Sequence, residues 1–250
     1  MHDAIVSGQT AGDFKTRARG RALVKGGATV AARVVEMLGG IWTWGEKRGL
    51  VVGPNPANGI QKHKPEPRDR TLDADELKRL GVALREHEKT QPAAASALRL
   101  IALTGLRREE ACGLRWREID AAVQALRLEA TKTGRSMRPI GKVALDVLAD
   151  VPRSSEFVFP SRDGTQSADL KKRIASIFDA AGLDDARSHA LRRTFGSIAA
   201  DEGYSDSTIA ELLGHAKVGV TARHYIRRPD AALVAAADRV AARIAAAMDV

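Results

Sequence analysis

His189 and Arg192 stand three residues apart in the stretch DARSHALRRTFGS, Asp185 to Ser197, with Arg193 directly behind them. In a helix, positions i and i+3 share a face, with their Cβ atoms about 5–6 Å apart. An imidazole and a guanidinium on one face suit an anion above it. Three further stretches carry residue types able to join them. TGLRREEACGLRW places Arg107 just after a Thr-Gly break, with Glu110 three residues on. TKTGRSMRPI carries Lys132 at a turn, and LLGHAKVGVTARHYIRR supplies His215 and then, ten residues later, Tyr225.

Each of these has an ordinary structural reading. An arginine with a glutamate at i+3 is commonly a surface or half-buried ion pair. A histidine after glycine is commonly a helix cap, a turn lysine is solvated, and a tyrosine fills a core or its rim with the hydroxyl bonded nearby. Together they suit one reaction. Two guanidiniums clamp the non-bridging oxygens of a phosphodiester, because each planar fork stays charged and binds phosphate with two parallel bonds. Histidines exchange protons near neutral pH. A lysine can protonate a leaving alkoxide, and a tyrosine hydroxyl becomes a nucleophile once its proton is drawn away. The sequence has no HExxH, no cysteine pair and no tight acidic cluster for a metal, and no GxxxxGK[ST] for a nucleotide.

The elements that would position these groups are mostly helices. Of the 250 residues, 44% are hydrophobic but only 4% aromatic, which leaves Ala, Leu, Val and Ile to build the core and favours packed helices. Residues 1–28 are polar, glycine-rich and basic without a sustained period, and read as a loosely held arm. A helix is expected from Thr29 to near Gly49, with Val30, Val34, Leu38, Ile41 and Trp42 on its apolar face. Gly53 to Arg70 holds four of the nine prolines and reads as a linker. A new domain opens at LDADEL, where Asp73 and Glu76 form a capping-box pattern. ALRLEATKTGRSMRPI alternates on both sides of Thr133-Gly134-Arg135 as a β-hairpin does. Helices are then expected over roughly 142–150, 167–181, 189–202 and 205–214, and in an Ala-rich ending striped by Leu233, Val240, Ile244 and Met248.

The net charge of +9 is unevenly placed: residues 1–70 hold twelve Lys and Arg against six Asp and Glu. Such a surplus suits a phosphate backbone through counterion release, although solubility alone also accounts for it. Cys112 is the single cysteine and reads as a small buried hydrophobe in a reducing compartment. No membrane span or export signal is expected.

The ordered set TGLRREE, TKTGRSMRPI, HALRRTF, LGH and a C-terminal tyrosine resembles the tyrosine recombinases, the phage-integrase family, over residues 72 to about 228. Upstream, AARVVEMLGGIWTWGEKRGLVVGPNPANGI resembles the end of that family's core-binding domain. The resemblance implies a mainly α fold with a small antiparallel β-hairpin or sheet: a tyrosine-recombinase-like catalytic domain at 72–250, a linker at 61–71 and a partial helical core-binding module with a basic arm at 1–60. It implies that Arg107 and Arg192 clamp the phosphate and that Lys132 is the general acid for the 5′-hydroxyl. His189 would manage the nucleophile's proton, His215 bond the scissile phosphate, and Tyr225 attack it to leave a 3′-phosphotyrosyl link. Glu110 would support the first motif structurally. No cofactor or metal is implied. The expected partners are double-stranded DNA, three further copies of the chain in a tetramer on DNA, and an accessory directionality protein, in the cytoplasm on the nucleoid.

Two departures accompany the resemblance. The interval from His215 to Tyr225 is one residue longer than usual, with His224 beside the tyrosine, and the helical region before the catalytic domain is short. Tyr204, the other tyrosine, lies between two expected helices in DEGYSDS. The expected activity is site-specific DNA recombination. The competing readings are a truncated prophage integrase that binds DNA without recombining it and a type IB topoisomerase acting on one duplex.

Overall fold

Pro92–Thr104 forms a helix that is buried along most of its length, and most of the larger compact unit is arranged around it. The computed structural model describes residues 1–17, 20–62, 69–131, 134–215 and 229–249; Lys132, His224 and Tyr225 lie outside the described residues. The chain divides into two compact units, residues 1–68 and 69–250.

In the first unit, α1 (His2–Val6) packs against α2 (Ala28–Glu46), and β1 (Gly12–Arg17) pairs antiparallel with β2 (Gly20–Val24). The segment expected to be a loose arm is therefore a short helix followed by a β-hairpin. Phe14 and Leu23 on its strands are exposed, so neither strand carries the buried alternate face that would mark it in the sequence. The apolar face expected of α2 also differs. Ala31, Ala32, Val35 and Gly45 are the buried positions, whereas Val30 and Ile41 are exposed together with Met37 and Trp44. Small side chains permit the close approach of α1, and size rather than hydropathy selects the inner face.

The second unit opens with α3 (Ala74–His87), whose capping box is complete. Asp73 Oδ1 accepts the Glu76 amide at 2.8 Å, and Glu76 Oε2 accepts the Asp73 amide at 3.1 Å, satisfying two amides that have no partner within the helix. The central helix, α4 (Pro92–Thr104), begins with proline, whose missing amide costs nothing in the first turn, and stops at Gly105 in the left-handed conformation, φ 64°. A short α5 (Arg108–Cys112) follows, then a three-stranded antiparallel sheet in the order β3 (Ile119–Asp120), β4 (Ala125–Thr131), β5 (Gly134–Pro139). The hairpin expected from the alternating pattern is the β4–β5 pair, with Leu126 opposite Arg138 and Leu128 opposite Ser136.

The remaining helices are α6 (Lys142–Ala149), α7 (Lys171–Ala180), α8 (Ser188–Asp201), α9 (Asp206–Leu213) and α10 (Ala231–Met248). α7 begins four residues later than expected; Asp169 Oδ1 accepts the Lys171 amide at 3.1 Å where the chain turns into it. Helix α10 docks within its own unit against α3, α4, α6 and α8, burying Val240, Ile244 and Met248 of the expected stripe, with Leu233 partly buried. It crosses α3 so closely that a Cβ on Gly81 would fall 1.8 Å from the Met248 carbonyl oxygen. Cys112 is buried as expected, and loss of water around it pushes its thiol pKa up to about 11. The fold is thus mainly α with small antiparallel sheets, and no helix among the described residues is long and apolar enough to cross a membrane.

Candidate active site

Arg107 leads the chain from the left-handed turn at Gly105 into α5, and its orientation is set by Glu110. One carboxylate oxygen of Glu110, Oε2, accepts the Arg107 amide at 2.9 Å; the other, Oε1, accepts Arg107 Nη1 at 2.8 Å. Backbone and side chain of the arginine are thereby held by one group. Glu110 is almost fully enclosed, and burial by itself would disfavour its charge. The Arg107 amide and the charges of Arg138 and Arg107 outweigh that effect and hold the carboxyl below its usual range.

The same Arg-x-x-Glu spacing recurs at Arg115 and Glu118 with another outcome. Glu118 Oε2 again accepts the amide of its arginine, at 2.9 Å, but Oε1 takes the Glu129 amide of β4 at 2.8 Å. The Arg115 side chain turns away to Glu156 at 2.8 Å. Spacing alone therefore does not fix the role of the arginine; the second oxygen of the carboxylate does.

Arg192 comes from α8 and is buried. Its Nη1 donates to the Gly105 carbonyl at 2.6 Å and its Nη2 to the Leu213 carbonyl at 2.7 Å. These oxygens belong to the C-terminal ends of α4 and α9, where carbonyls lack helical partners and carry the negative end of the helix dipole. Burial, then the nearby charges of Arg107 and Arg138, draw the Arg192 pKa down to about 10, so it remains a cation at neutral pH.

His189, one turn before Arg192, and His215, directly after the left-handed Gly214 that ends α9, are both exposed. Both rings titrate below the ordinary imidazole value. For His189 the causes are removal from water, then the charges of Arg193, Arg192 and Arg107; for His215 they are removal from water, then Arg192, Arg107 and Arg138. Two imidazoles feel the same guanidiniums because α5, α8 and the end of α9 converge there. Arg107, Glu110, His189, Arg192 and His215 therefore come together, while Lys132 and Tyr225 fall outside the described residues. Tyr204 lines a groove beside His215 but is half-buried and packed against the core.

The sequence reading missed Arg138 of β5. Its guanidinium is fully enclosed and donates through Nη2 to Glu110 Oε1 at 2.9 Å. A signal was available in MRPI: an arginine amid apolar residues at the end of a strand must find a partner if it is buried. Among the described residues, no three His, Cys, Asp or Glu side chains come together as metal ligands would.

Three guanidiniums, one carboxylate and two neutral imidazoles leave a concentrated positive field open to an anion. The model of the phage integrase family matches residues 70–231. The prophage integrase IntF of Escherichia coli K12 is 30% identical over 170 residues, which cover 64% of this chain and 36% of that protein. The tyrosine recombinase XerC of Xylella fastidiosa M23 is 30% identical over 194 residues, 73% of this chain and 64% of that protein. The chain thus spans less than two thirds of the length of either relative. A crystal structure of a lambda integrase (75–356) dimer bound to a COC′ core site superposes with a TM-score of 0.59 at 21% identity, covering 77% of each chain, and shares the fold. With the family model matched across the residues that build the cluster, the chain belongs to the phage integrase family.

Proposed function

We propose that the chain carries out site-specific DNA recombination of the integrase type, cutting and rejoining strands through a 3′-phosphotyrosyl intermediate. The observation that carries this reading is the convergence of the exposed His189 and His215 with the half-buried Arg107 and the buried Arg192, with Glu110 fixing the first arginine. Tyr225 Oη attacks the phosphorus, and the bond to the 5′ oxygen breaks. The departing alkoxide takes a proton from Lys132, and His189 receives the proton of the tyrosine. Arg107 and Arg192, with His215, face the non-bridging oxygens. Charge on those oxygens grows in the pentavalent transition state, so fixed cations stabilise it more than the ground state. The ester keeps the energy of the broken bond, so a second strand's 5′-hydroxyl can reverse the step without a nucleotide.

The DNA partner is double-stranded, and exchange between two duplexes calls for four copies of the chain, with an accessory protein setting direction. Lambda integrase, of the same fold, has been solved as a tetramer bound to a Holliday junction, which supports the assembly. The first unit, residues 1–68, carries eleven Lys and Arg against five Asp and Glu and binds the phosphate backbone of the duplex. A nicked suicide substrate carrying an attachment sequence, incubated in a chelator and run on a denaturing gel, should yield a slower-migrating protein–DNA adduct that protease removes. Binding of that DNA without an adduct would reduce the chain to a DNA-binding protein.

The histidines give a second expectation. A phosphate placed among these guanidiniums offsets their charge and raises the pKa of both rings, so DNA binding takes up protons. Affinity should therefore rise as pH falls from about 8 towards 6, the range in which imidazoles titrate. Calorimetric titration in buffers of different ionisation enthalpy measures that uptake, and a pH-independent affinity would put both rings beyond reach of the phosphate. The free chain has the opposite dependence. Its folded imidazoles titrate below those of the unfolded chain, so the unfolded state binds more protons in mild acid and stability falls as pH drops through about 6.5.

A further inference from the structure

Arg138 is the largest fully enclosed side chain of the protein, yet it is a cation. Its Nη2 shares Glu110 Oε1 with Arg107, at 2.9 and 2.8 Å respectively, and its Nε approaches Ser136 Oγ at 3.4 Å. Its Nη1 has no hydrogen-bond partner among the described residues. On its other side the guanidinium lies against Gly214, where a Cβ would stand 2.2 Å from Nε and 2.5 Å from Cζ. Only glycine admits that approach, and φ 64° at the same position suits glycine independently. Gly214 separates Leu213, whose carbonyl accepts Arg192, from His215.

Packing gives a poor account of this residue. Taking a guanidinium out of water is costly, and a buried ion pair replaced as a whole by apolar side chains of similar volume is often as stable or more so. The sequence neighbours Pro139 and Ile140 are buried and apolar, so the charge of Arg138 finds its partner in Glu110. The planar group instead joins two parts of the patch: the carboxylate that aims Arg107, and the turn that carries His215.

We infer that Arg138 is a positioning residue for strand cleavage, which fixes the Arg107 guanidinium relative to His215 through Glu110 and Gly214 without touching the DNA. The inference rests on the function proposed above. A misplacement of about 1 Å in such a constellation can cost on the order of 10²-fold in rate.

The test is single-turnover cleavage of the suicide substrate at saturating DNA, with DNA affinity and thermal melting measured in parallel. It compares the parent chain with Arg138→Met and Arg138→Lys well below the lowest melting midpoint. The methionine variant is expected to cleave about 10- to 100-fold more slowly at unchanged affinity. The lysine variant, which keeps the charge but loses the fork, should fall between it and the parent. A methionine variant that cleaves within about two-fold of a cutting parent, or whose defect lies in affinity instead of rate, would overturn the assignment. If the methionine variant does not melt cooperatively, the lysine variant decides: slower cleavage at unchanged affinity supports the assignment, and full rate overturns it. A parent that forms no adduct overturns the proposed function, and this assignment with it.

Discussion

Replacing Tyr225 by phenylalanine should abolish the covalent adduct while leaving DNA binding within about two-fold of the parent, because the change removes a reacting oxygen and keeps the ring. No remaining group on the patch substitutes for it. His189 and His215 can move protons, and an adduct through either imidazole would be an acid-labile phosphoramidate, which mild acid distinguishes from the acid-stable tyrosyl ester. The informative control is Tyr204→Phe. That side chain is half-buried against the core, so its variant should form adduct at the parent's rate. Adduct persisting in Tyr225→Phe and lost in Tyr204→Phe would transfer the nucleophile to Tyr204.

The second large effect is expected at Arg192. If Arg192 is one half of the proposed phosphate clamp, its replacement by alanine should slow cleavage by about 10²–10³-fold or more. It also strips the donors from two carbonyl oxygens, those of Gly105 and Leu213, at about 1–3 kcal/mol for each group left unsatisfied in a buried setting. The variant should thus melt lower as well as cut more slowly. Arg192→Lys separates the two effects, since an ammonium can reach one of the carbonyls but cannot span both with a planar fork. Recovered melting with unrecovered cleavage is the expected pattern. Equal cleavage by parent and lysine variant would remove the forked geometry of Arg192 from the clamp.

What was legible in the sequence depended on local signals. Asp73 and Glu76 carry their capping box within four residues, and the alternation around Gly134 reports a hairpin whose inner face is buried. The shared face of His189 and Arg192 follows from helical spacing on α8, and the Arg107–Glu110 contact from a capping-box spacing at the start of α5. Burial from distant elements was not legible. Arg138 becomes a member of the patch only because Gly214, 76 positions later, closes over it. The first hairpin left no trace because Phe14 and Leu23 face solvent. In α2, hydropathy named Val30 and Ile41, while the approach of α1 selected Ala31, Ala32 and Val35.

The crossing of α3 and α10 bears on how the chain is made. The first and last helices of the second unit lie side by side at Gly81 and Met248, and Arg85 Nη1 fastens the end of the chain by bonding the Met248 and Asp249 carbonyls at 3.1 and 2.7 Å. Contacts of such large sequence separation form late and slow the folding step they complete. During synthesis, α6, α7 and α8 can cover parts of α3 and α4, but the faces that pack against α10 stay open until α10 is made. The unit should thus complete its packing only once α10 has emerged, and nascent chains stalled short of Ala231 should remain protease-sensitive and dependent on chaperones.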